Sequence, residues 1–225
     1  MSTKMQMKAF IRLVVFSPSV HVNQPRHGRF RHLCVGIVAL VWCLLVETVA
    51  AADKCPDLAS LRSANVTARS KEQVASLMSG FWYELGYEDV AQIGASCQTQ
   101  NITTTDQHGG ITADFAVKYG QIPFHIDEQY TADEVSTGIW TKMETSFPGS
   151  KLIQLPTALV DVTPSTFILY SCLKDMRLPP VTELVIAGRG SAMGDETFNS
   201  LLRVAQALGV PINASQVKRV DHSGC

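Results

Sequence analysis

The cysteines of this chain have a number and a spacing that indicate one reaction, the formation of disulfide bonds. Six are present; Cys34 and Cys43 lie in an apolar N-terminal segment, and four are spread over the rest of the chain. These four are Cys55, Cys97, Cys172 and Cys225. A thiolate metal site needs closely spaced pairs of ligands, and the sequence has none. An even count in an exported chain predicts two disulfide bonds, with three connectivities open.

No residue has the sequence context of a catalytic or cofactor-binding group. The glycine-rich run 188–194 lies between a strand-like and a helical segment, as in a dinucleotide-binding turn. Too little chain follows Gly209 for the second parallel strand that such a site requires. A Gly-x-Ser-x-Gly nucleophile motif does not occur. The sequence therefore predicts no catalytic residue, no metal and no cofactor.

The histidines and acid pairs of the C-terminal part have simpler interpretations. His108 precedes a Gly-Gly turn and His222 lies in the tail, while His125, in a strand-like run, is interpreted as exposed or hydrogen-bonded. The acid pairs 127–128 and 133–134 lack the regular oxygen spacing of a calcium loop. They are interpreted as a solvated rim.

The first 52 residues are chemically distinct and are predicted to be a targeting segment. They hold six of the 19 bases but one of the 20 acids. A basic stretch ending at Arg31 precedes the apolar run 33–46, and small residues up to Ala52 offer cleavage sites, as in a secretory signal peptide. The run is short for a membrane span, so cleavage is favoured over a retained signal anchor, which is the alternative.

Glycosylation sequons and composition agree with export. Asn65, Asn101 and Asn213 each begin an Asn-x-Ser/Thr sequence, and with the cysteines and the leader they predict a secreted protein. The net charge of −1 leaves no surplus of bases for nucleic-acid binding. At 46% hydrophobic, the chain is too apolar to be disordered and too interrupted for a multi-span membrane protein.

Residues 53–225 are predicted to form one domain of eight strands. Turn signals separate short strand-like runs, and the run from Gly110 to Tyr119 alternates apolar and polar residues, which places one face inward. The runs are Gly80–Tyr87, Ala95–Thr105, Gly110–Tyr119, Ile122–Tyr130, Thr137–Glu144, Lys151–Thr163, Thr166–Leu173 and Val181–Ala187. Mostly short connections favour an antiparallel barrel or sandwich.

A helix is predicted after the last strand. Apolar residues from Phe198 to Leu208 recur at helical spacing, Asp195 suits the positive end of the helix, and Gly209 marks its end. The run 151–163 is apolar on both faces, as expected where its outer face is also covered. The helix is therefore expected to pack on the outside of the sheet.

Two separated motifs give this domain a family resemblance. Gly80, Trp82 and Tyr83 form a Gly-x-Trp-Tyr sequence at the first strand, and Arg189 follows the last strand. These residues resemble the signature positions of the lipocalins. The resemblance implies an all-β fold, an eight-stranded antiparallel up-and-down barrel with the C-terminal helix outside. It also implies that Trp82 closes one end of the barrel beneath the guanidinium of Arg189, in a cation–π contact.

The four cysteines resemble those of the apolipoprotein-D-like branch of the lipocalins. There, one cysteine precedes the first strand, one opens the second, one ends the seventh and one closes the chain. The resemblance implies the bonds Cys55–Cys172 and Cys97–Cys225. The middle motif of the family is matched only loosely by residues 160–164, so receptor or membrane contacts at that loop are left open.

The expected function follows from the resemblance. An eight-stranded barrel can hold one small ligand. The protein is therefore expected to be a carrier that transports a small hydrophobic ligand such as a lipid, fatty acid, sterol, retinoid or pigment. It is expected to act as a monomer and without a cofactor. The alternative is that the inward residues simply fill the core. The expected lining residues are Phe115, Val117, Tyr119, Phe124, Trp140, Phe167 and Leu169.

Two other functions stay open. The sequence is also similar to the lipocalin-like domain of violaxanthin de-epoxidases, which would make it an enzyme acting on a carotenoid or related lipid through acids near Asp89. The cysteine-rich segment of those enzymes is absent from this sequence. A retained apolar leader would instead make the protein a membrane-tethered barrel that binds other proteins.

Overall fold

Strands make up most of the computed structural model, which describes residues 55–105, 108–146, 154–174 and 180–225. The predicted targeting segment 1–52 lies outside these residues. Each main strand begins and ends within a few residues of its predicted run. The strands are β1 Gly80–Glu88, β2 Ala95–Thr104, β3 Ile111–Tyr119, β4 Ile122–Ala132, β5 Ile139–Glu144, β6 Leu155–Val162, β7 Thr166–Leu173 and β8 Val181–Gly188.

These eight strands close into a barrel. Each is antiparallel to the next along the chain, from β2 to β8. The sheet closes because β1 pairs with β8 on one edge and with β2 on the other. The predicted up-and-down antiparallel barrel is confirmed, and the sandwich alternative is wrong.

Alternation along the strands sets which side chains face inward. Ile111, Ala113, Phe115 and Val117 of β3 are buried, whereas the residues between them are half-buried or exposed. Directly opposite residues of an antiparallel pair lie on the same face. Starting from the inward residues of β3, the register of each strand pair therefore identifies the inward residues of every other strand.

Two helices that the sequence analysis did not predict lie before β1. A 3₁₀ turn at Leu58–Leu61 leads into α1, Ala64–Thr67, and then α2, Lys71–Met78. Ser70 begins α2 with a capping box: its hydroxyl accepts from the Gln73 N–H, and the Gln73 side chain accepts from the Ser70 N–H. These hydrogen bonds satisfy donors that the first turn of a helix otherwise leaves unpaired.

The helices close one end of the barrel. Val66 of α1 and Val74 and Met78 of α2 are buried in the same hydrophobic cluster as Trp82 of β1. We call this helix-covered end the lower end. The upper end is the opposite one, where β1 ends and β2 begins.

A third helix, α3 at Asp195–Ala207, covers the outside of the barrel. Phe198, Leu201, Leu202 and Ala205 of α3 are buried. They share a hydrophobic cluster with outward residues of three strands, namely Val160, Ile168 and Ile186. The predicted outer helix is confirmed, and its contact explains why β6 is apolar on both faces.

The C-terminal tail joins the barrel at the seam between β1 and β2. Its short strand β9, Lys218–Arg219, pairs with Gly86 and Tyr87 of β1. Nearer β2, the Cys97 N–H donates to the Asp221 carbonyl oxygen at 3.0 Å. Below Gly86 the same edge of β1 pairs with β2. The tail therefore completes the wall where the two strands part.

Two disulfide bonds fix the chain ends of the described domain. Cys55 is bonded to Cys172 at the end of β7, and Cys97 at the start of β2 is bonded to Cys225. This is the pairing that the resemblance implies. Cys97 lies in a bulge of β2 with a φ of 57°, and the bulge turns its side chain toward the tail.

Candidate functional site: the barrel interior

Trp82 and Arg189 seal the lower end of the interior. The Arg189 guanidinium carbon lies 3.4 Å from the centroid of the Trp82 ring, and the indole N–H donates to the Met78 carbonyl oxygen at 2.6 Å. Gly80 has a φ of 99°, and a Cβ there would lie 3.0 Å from Arg189 Nη1. Arg189 also donates hydrogen bonds of 2.8–3.1 Å to the main-chain oxygens of Leu77, Ser79 and Phe81. Strand β1, helix α2 and the residue after β8 are thus joined at one point.

The upper half of the interior contains the first four expected lining residues. Phe115 and Val117 are buried on the inward face of β3. Phe124 of β4 lies opposite Val117 and is 40% exposed. The Tyr119 and Phe124 rings meet edge to face, with centroids 5.7 Å apart. These four residues form an apolar wall that reaches solvent at the upper end.

The other three expected lining residues lie lower. Trp140, Phe167 and Leu169 are buried in the same cluster as Trp82. The Trp140 indole N–H donates to the Gly109 carbonyl oxygen at 2.9 Å, and the Phe167 ring meets Trp82 edge to face with centroids 4.8 Å apart. This group is therefore the floor of the interior.

Between the floor and the upper wall lies a layer of buried polar side chains that the sequence analysis missed. We call it the polar belt. It consists of Glu84, Gln98, Gln100, Glu128, Lys142, Thr157, Ser171 and Glu183, all of them 8% exposed or less. The register places them on the inward face: Gln100 lies opposite Trp82, and Glu183 lies opposite Ser171, which in turn lies opposite Thr157.

An ion-pair network crosses the barrel within the polar belt. The Lys142 ammonium of β5 lies 2.6 Å from the nearer carboxylate oxygen of Glu183 in β8 and 3.3 Å from Glu128 in β4. The Tyr130 hydroxyl donates to the other oxygen of Glu128 at 2.7 Å. One ammonium thus serves two carboxylates across the interior.

Burial and charge together determine protonation in this network. Burial acts to lower the pKa of Lys142, but Glu128 and Glu183 outweigh it and hold that pKa well above its ordinary value. Burial, followed by the charge of Glu128, raises the pKa of Tyr130 well above its ordinary value. The ammonium and the phenol therefore stay protonated at neutral pH and remain donors to the carboxylates.

Among the described residues, Glu84 is the carboxyl group of the polar belt that has no counter-charge in hydrogen-bond contact. Its side chain is fully buried on β1, and neither carboxylate oxygen has a hydrogen-bond partner in the part of the chain that the structure describes. Burial raises the pKa of Glu84 well above its ordinary value, and the charges of Glu183 and Glu128 raise it further. The side-chain oxygens of Gln98 and Gln100 likewise lack donors among the described residues.

Replacing Glu84 with glutamine is expected to stabilise the protein increasingly as the pH rises. The unfolded carboxyl ionises near pH ~4.3, whereas the folded one ionises at higher pH, so the folded state binds more protons between the two pKa values. Wild-type stability therefore falls through that window, by at most about 1.4 kcal/mol per pH unit for one group, and the Glu84→Gln curve lacks this fall.

Urea unfolding at pH 4, 6 and 8 measures the effect. The exposed Glu134, substituted by glutamine, is the control, and its curve should run parallel to the wild-type curve. A Glu84→Gln curve that is also parallel to the wild type would contradict the assignment of a raised pKa to Glu84.

Glu128 corrects one expectation of the sequence analysis. The pair 127–128 was expected to be a solvated rim, but Glu128 is 6% exposed and points into the barrel. Only Asp127 is exposed. Because β4 continues to Ala132, its two acids lie on opposite faces of one strand. A charged residue at an inward position of an alternating run is the signal that could have revealed the polar belt.

The remaining candidate residues are the histidines, Asp89 and the sequon asparagines, and the structure gives their positions and contacts. His125 is exposed beside Asp114, with 3.0 Å between Nδ1 and the carboxylate oxygen, and His222 contacts the Glu84 carbonyl oxygen at 2.8 Å. Asp89 caps a short 3₁₀ turn by accepting from the Ala91 N–H at 2.8 Å. The sequon residues Asn65, Asn101 and Asn213 are exposed.

The described residues lack two further structural features. They contain no cluster of three or more histidine, cysteine, aspartate or glutamate side chains arranged to hold a metal ion. None of their helices combines the length and the apolar character needed to cross a membrane.

A closed eight-stranded barrel, plugged at one end by an indole beneath a guanidinium, defines a class of fold. No protein-family model and no curated protein matches this sequence, but solved structures share its fold. Apocrustacyanin C1 gives a TM-score of 0.62 at 12% identity, over 77% of this chain and 92% of that chain. Insecticyanin from the tobacco hornworm Manduca sexta gives 0.60 at 12% identity, over 76% and 88%. The fold of this chain is the lipocalin fold.

Proposed function

We propose that the protein is a secreted lipocalin that binds and carries a small, mainly apolar molecule inside its barrel. The observation that carries the proposal is an interior sealed at the lower end by Trp82 and Arg189 and walled by apolar side chains toward the upper end. Apolar surface leaving water contributes about 0.8 kcal/mol for each buried methylene, so such a wall favours an apolar guest.

Each expected lining residue has a proposed part. Phe115, Val117, Tyr119 and Phe124 would contact the body of the ligand in the upper half. Trp140, Phe167 and Leu169 would form the floor that limits how deeply the ligand enters. This division rests on the burial of the floor residues with Trp82, as opposed to the partial exposure of Phe124.

Secretion and family branch belong to the same proposal. The apolar run 33–46 would act as a cleaved signal, and the three exposed sequon asparagines would carry glycans in the secretory pathway. Disulfide bonds persist in oxidising compartments, and their pairing matches that of the apolipoprotein-D-like branch. The protein would act as a monomer, without enzymatic activity and without nucleic acid.

A binding measurement with a matched pair of variants tests the proposal. The purified protein, with its disulfides intact, is titrated with retinol and with the neutral fluorophore N-phenyl-1-naphthylamine. Phe124→Ala is expected to weaken binding roughly fivefold, because part of a phenylalanine contact is lost. Phe81, a 49% exposed phenylalanine at the lower end, gives the control Phe81→Ala, which should bind as the wild type does.

Saturable binding of either probe, weakened by the change at Phe124 alone, supports carriage in the barrel. Absence of saturable binding by both probes would overturn it. Equal effects of the two substitutions would place the binding site outside the upper half of the barrel.

A further inference from the structure

We propose that the ligand carries a cationic nitrogen at one end of an apolar body, and that Glu84 binds this nitrogen at the bottom of the barrel. The inference rests on the proposed function, since it names the chemical class of the ligand for the same interior. It rests on the carboxylate of Glu84, which has no hydrogen-bond partner among the described residues, and on the excess of acceptors over donors around it.

Hydrogen-bond acceptors without donors gather on one side of the polar belt. Both oxygens of Glu84 and the side-chain oxygens of Gln98 and Gln100 have no donor among the described residues. The three side chains come from adjacent strands, β1 and β2. A primary ammonium offers three donors and no acceptor. Such a group matches this set, whereas a ligand carboxylate, which only accepts, does not.

The charges of the polar belt point to the same class of ligand. The polar belt contains three carboxyl groups, those of Glu84, Glu128 and Glu183, but one ammonium, that of Lys142. That ammonium is already within 2.6 Å of Glu183 and 3.3 Å of Glu128. Hydrogen bonds between ionised partners are roughly twice as strong as neutral ones. Burial favours the protonated form of Glu84, but a cation from the ligand would favour the ionised form. It would also give the carboxylate the partner that the described chain does not supply.

The position of Glu84 also fixes the orientation of the ligand. Glu84 is the next inward residue above Trp82 on β1, and Trp82 belongs to the packed floor. The nitrogen would therefore enter first and stop at the polar belt. The apolar body would extend upward along Phe115 and Val117 toward the partly exposed Phe124.

Three probes with the same twelve-carbon body test the inference. Dodecylamine, dodecanol and dodecanoate, each below its micelle concentration, compete with N-phenyl-1-naphthylamine on the purified protein at neutral pH. We expect dodecylamine to bind at least about tenfold more tightly than dodecanol, and dodecanoate to bind most weakly, because a buried charge needs an opposite partner. Glu84→Gln should bring the ratio of amine to alcohol affinity close to one.

The control variant is Glu88→Gln. Glu88 lies on the same strand, opposite Leu184 of the outer cluster, so its removal should leave the preference for the amine intact. Equal binding of the three probes by the wild type, or a preference for dodecanoate, would overturn the inference while the carrier function stands. A preference that survives in Glu84→Gln would overturn the role of Glu84. Failure of all probes to bind would instead overturn the proposed function. If Glu84→Gln does not fold, the relative affinities of the three probes for the wild-type protein still decide the ligand class.

Discussion

Replacing Lys142 with methionine is expected to lower the free energy of unfolding by about 3–5 kcal/mol at neutral pH. The ammonium lies within 2.6 Å of Glu183 and 3.3 Å of Glu128. Methionine has a similar length but no charge, so both carboxylates would be left buried without a cation. Removing one partner of a buried ion pair costs more than the pair itself contributes, because the remaining charge loses both water and partner.

Urea unfolding of Lys142→Met at pH 7 measures this loss. The triple variant Lys142→Met, Glu128→Gln, Glu183→Gln should recover most of the stability, because neutral amides replace the stranded charges. Lys118→Met, on the outward face of β3, is the control for loss of a lysine and should change stability by less than about 0.5 kcal/mol. The loss in Lys142→Met should also shrink toward acidic pH, because burial raises the pKa of Glu128 and a protonated Glu128 no longer needs a cation. A triple variant no more stable than Lys142→Met would contradict this account.

The strands could be predicted from the sequence because each leaves a local pattern. In β3 the alternation of Ile111, Ala113, Phe115 and Val117 with polar residues is visible without any partner strand. Turn residues set the limits of the runs to within a few positions. The helices α1 and α2 were missed because their short apolar stripes have meaning only against the lower end that they cover.

The polar belt could not be predicted in the same way. Lys142 and Glu183 are separated by 41 residues and meet only because β5 and β8 face each other across a closed barrel. Glu128 shares the parity of the expected lining residue Phe124, so its inward position could be predicted, whereas its ion pair with Lys142 could not. The apolar residues of the interior could therefore be predicted from the sequence, whereas the pairing of the buried charges could be known only from the three-dimensional register of the strands.

Loss of the Cys97–Cys225 bond is expected to cost about 3–5 kcal/mol and to release the tail from the barrel. The bond joins residues 128 positions apart, and closing so long a loop restricts the unfolded chain strongly. Locally, the bond holds β9 against β1, where the Val220 N–H donates to the Leu85 carbonyl oxygen at 3.2 Å. Substituting serine at both positions should therefore lower global stability and also open the seam.

Amide hydrogen exchange separates the two effects. In the variant with serine at positions 97 and 225, the amides of residue 97 and Val220 should exchange faster than can be explained by global unfolding alone. The matched control removes the other bond by placing serine at 55 and 172, which lie 117 positions apart. This control variant should lose a comparable amount of global stability. The amides of residue 97 and Val220 should then exchange no faster than its global unfolding allows. Equal protection of the tail in both variants would show that backbone pairing holds the seam without the disulfide.

Because Glu84 lies on β1 beside this seam, with its carbonyl oxygen in contact with His222, the variant that opens the seam should also admit water to Glu84. The pH dependence of its stability should then flatten, as in Glu84→Gln.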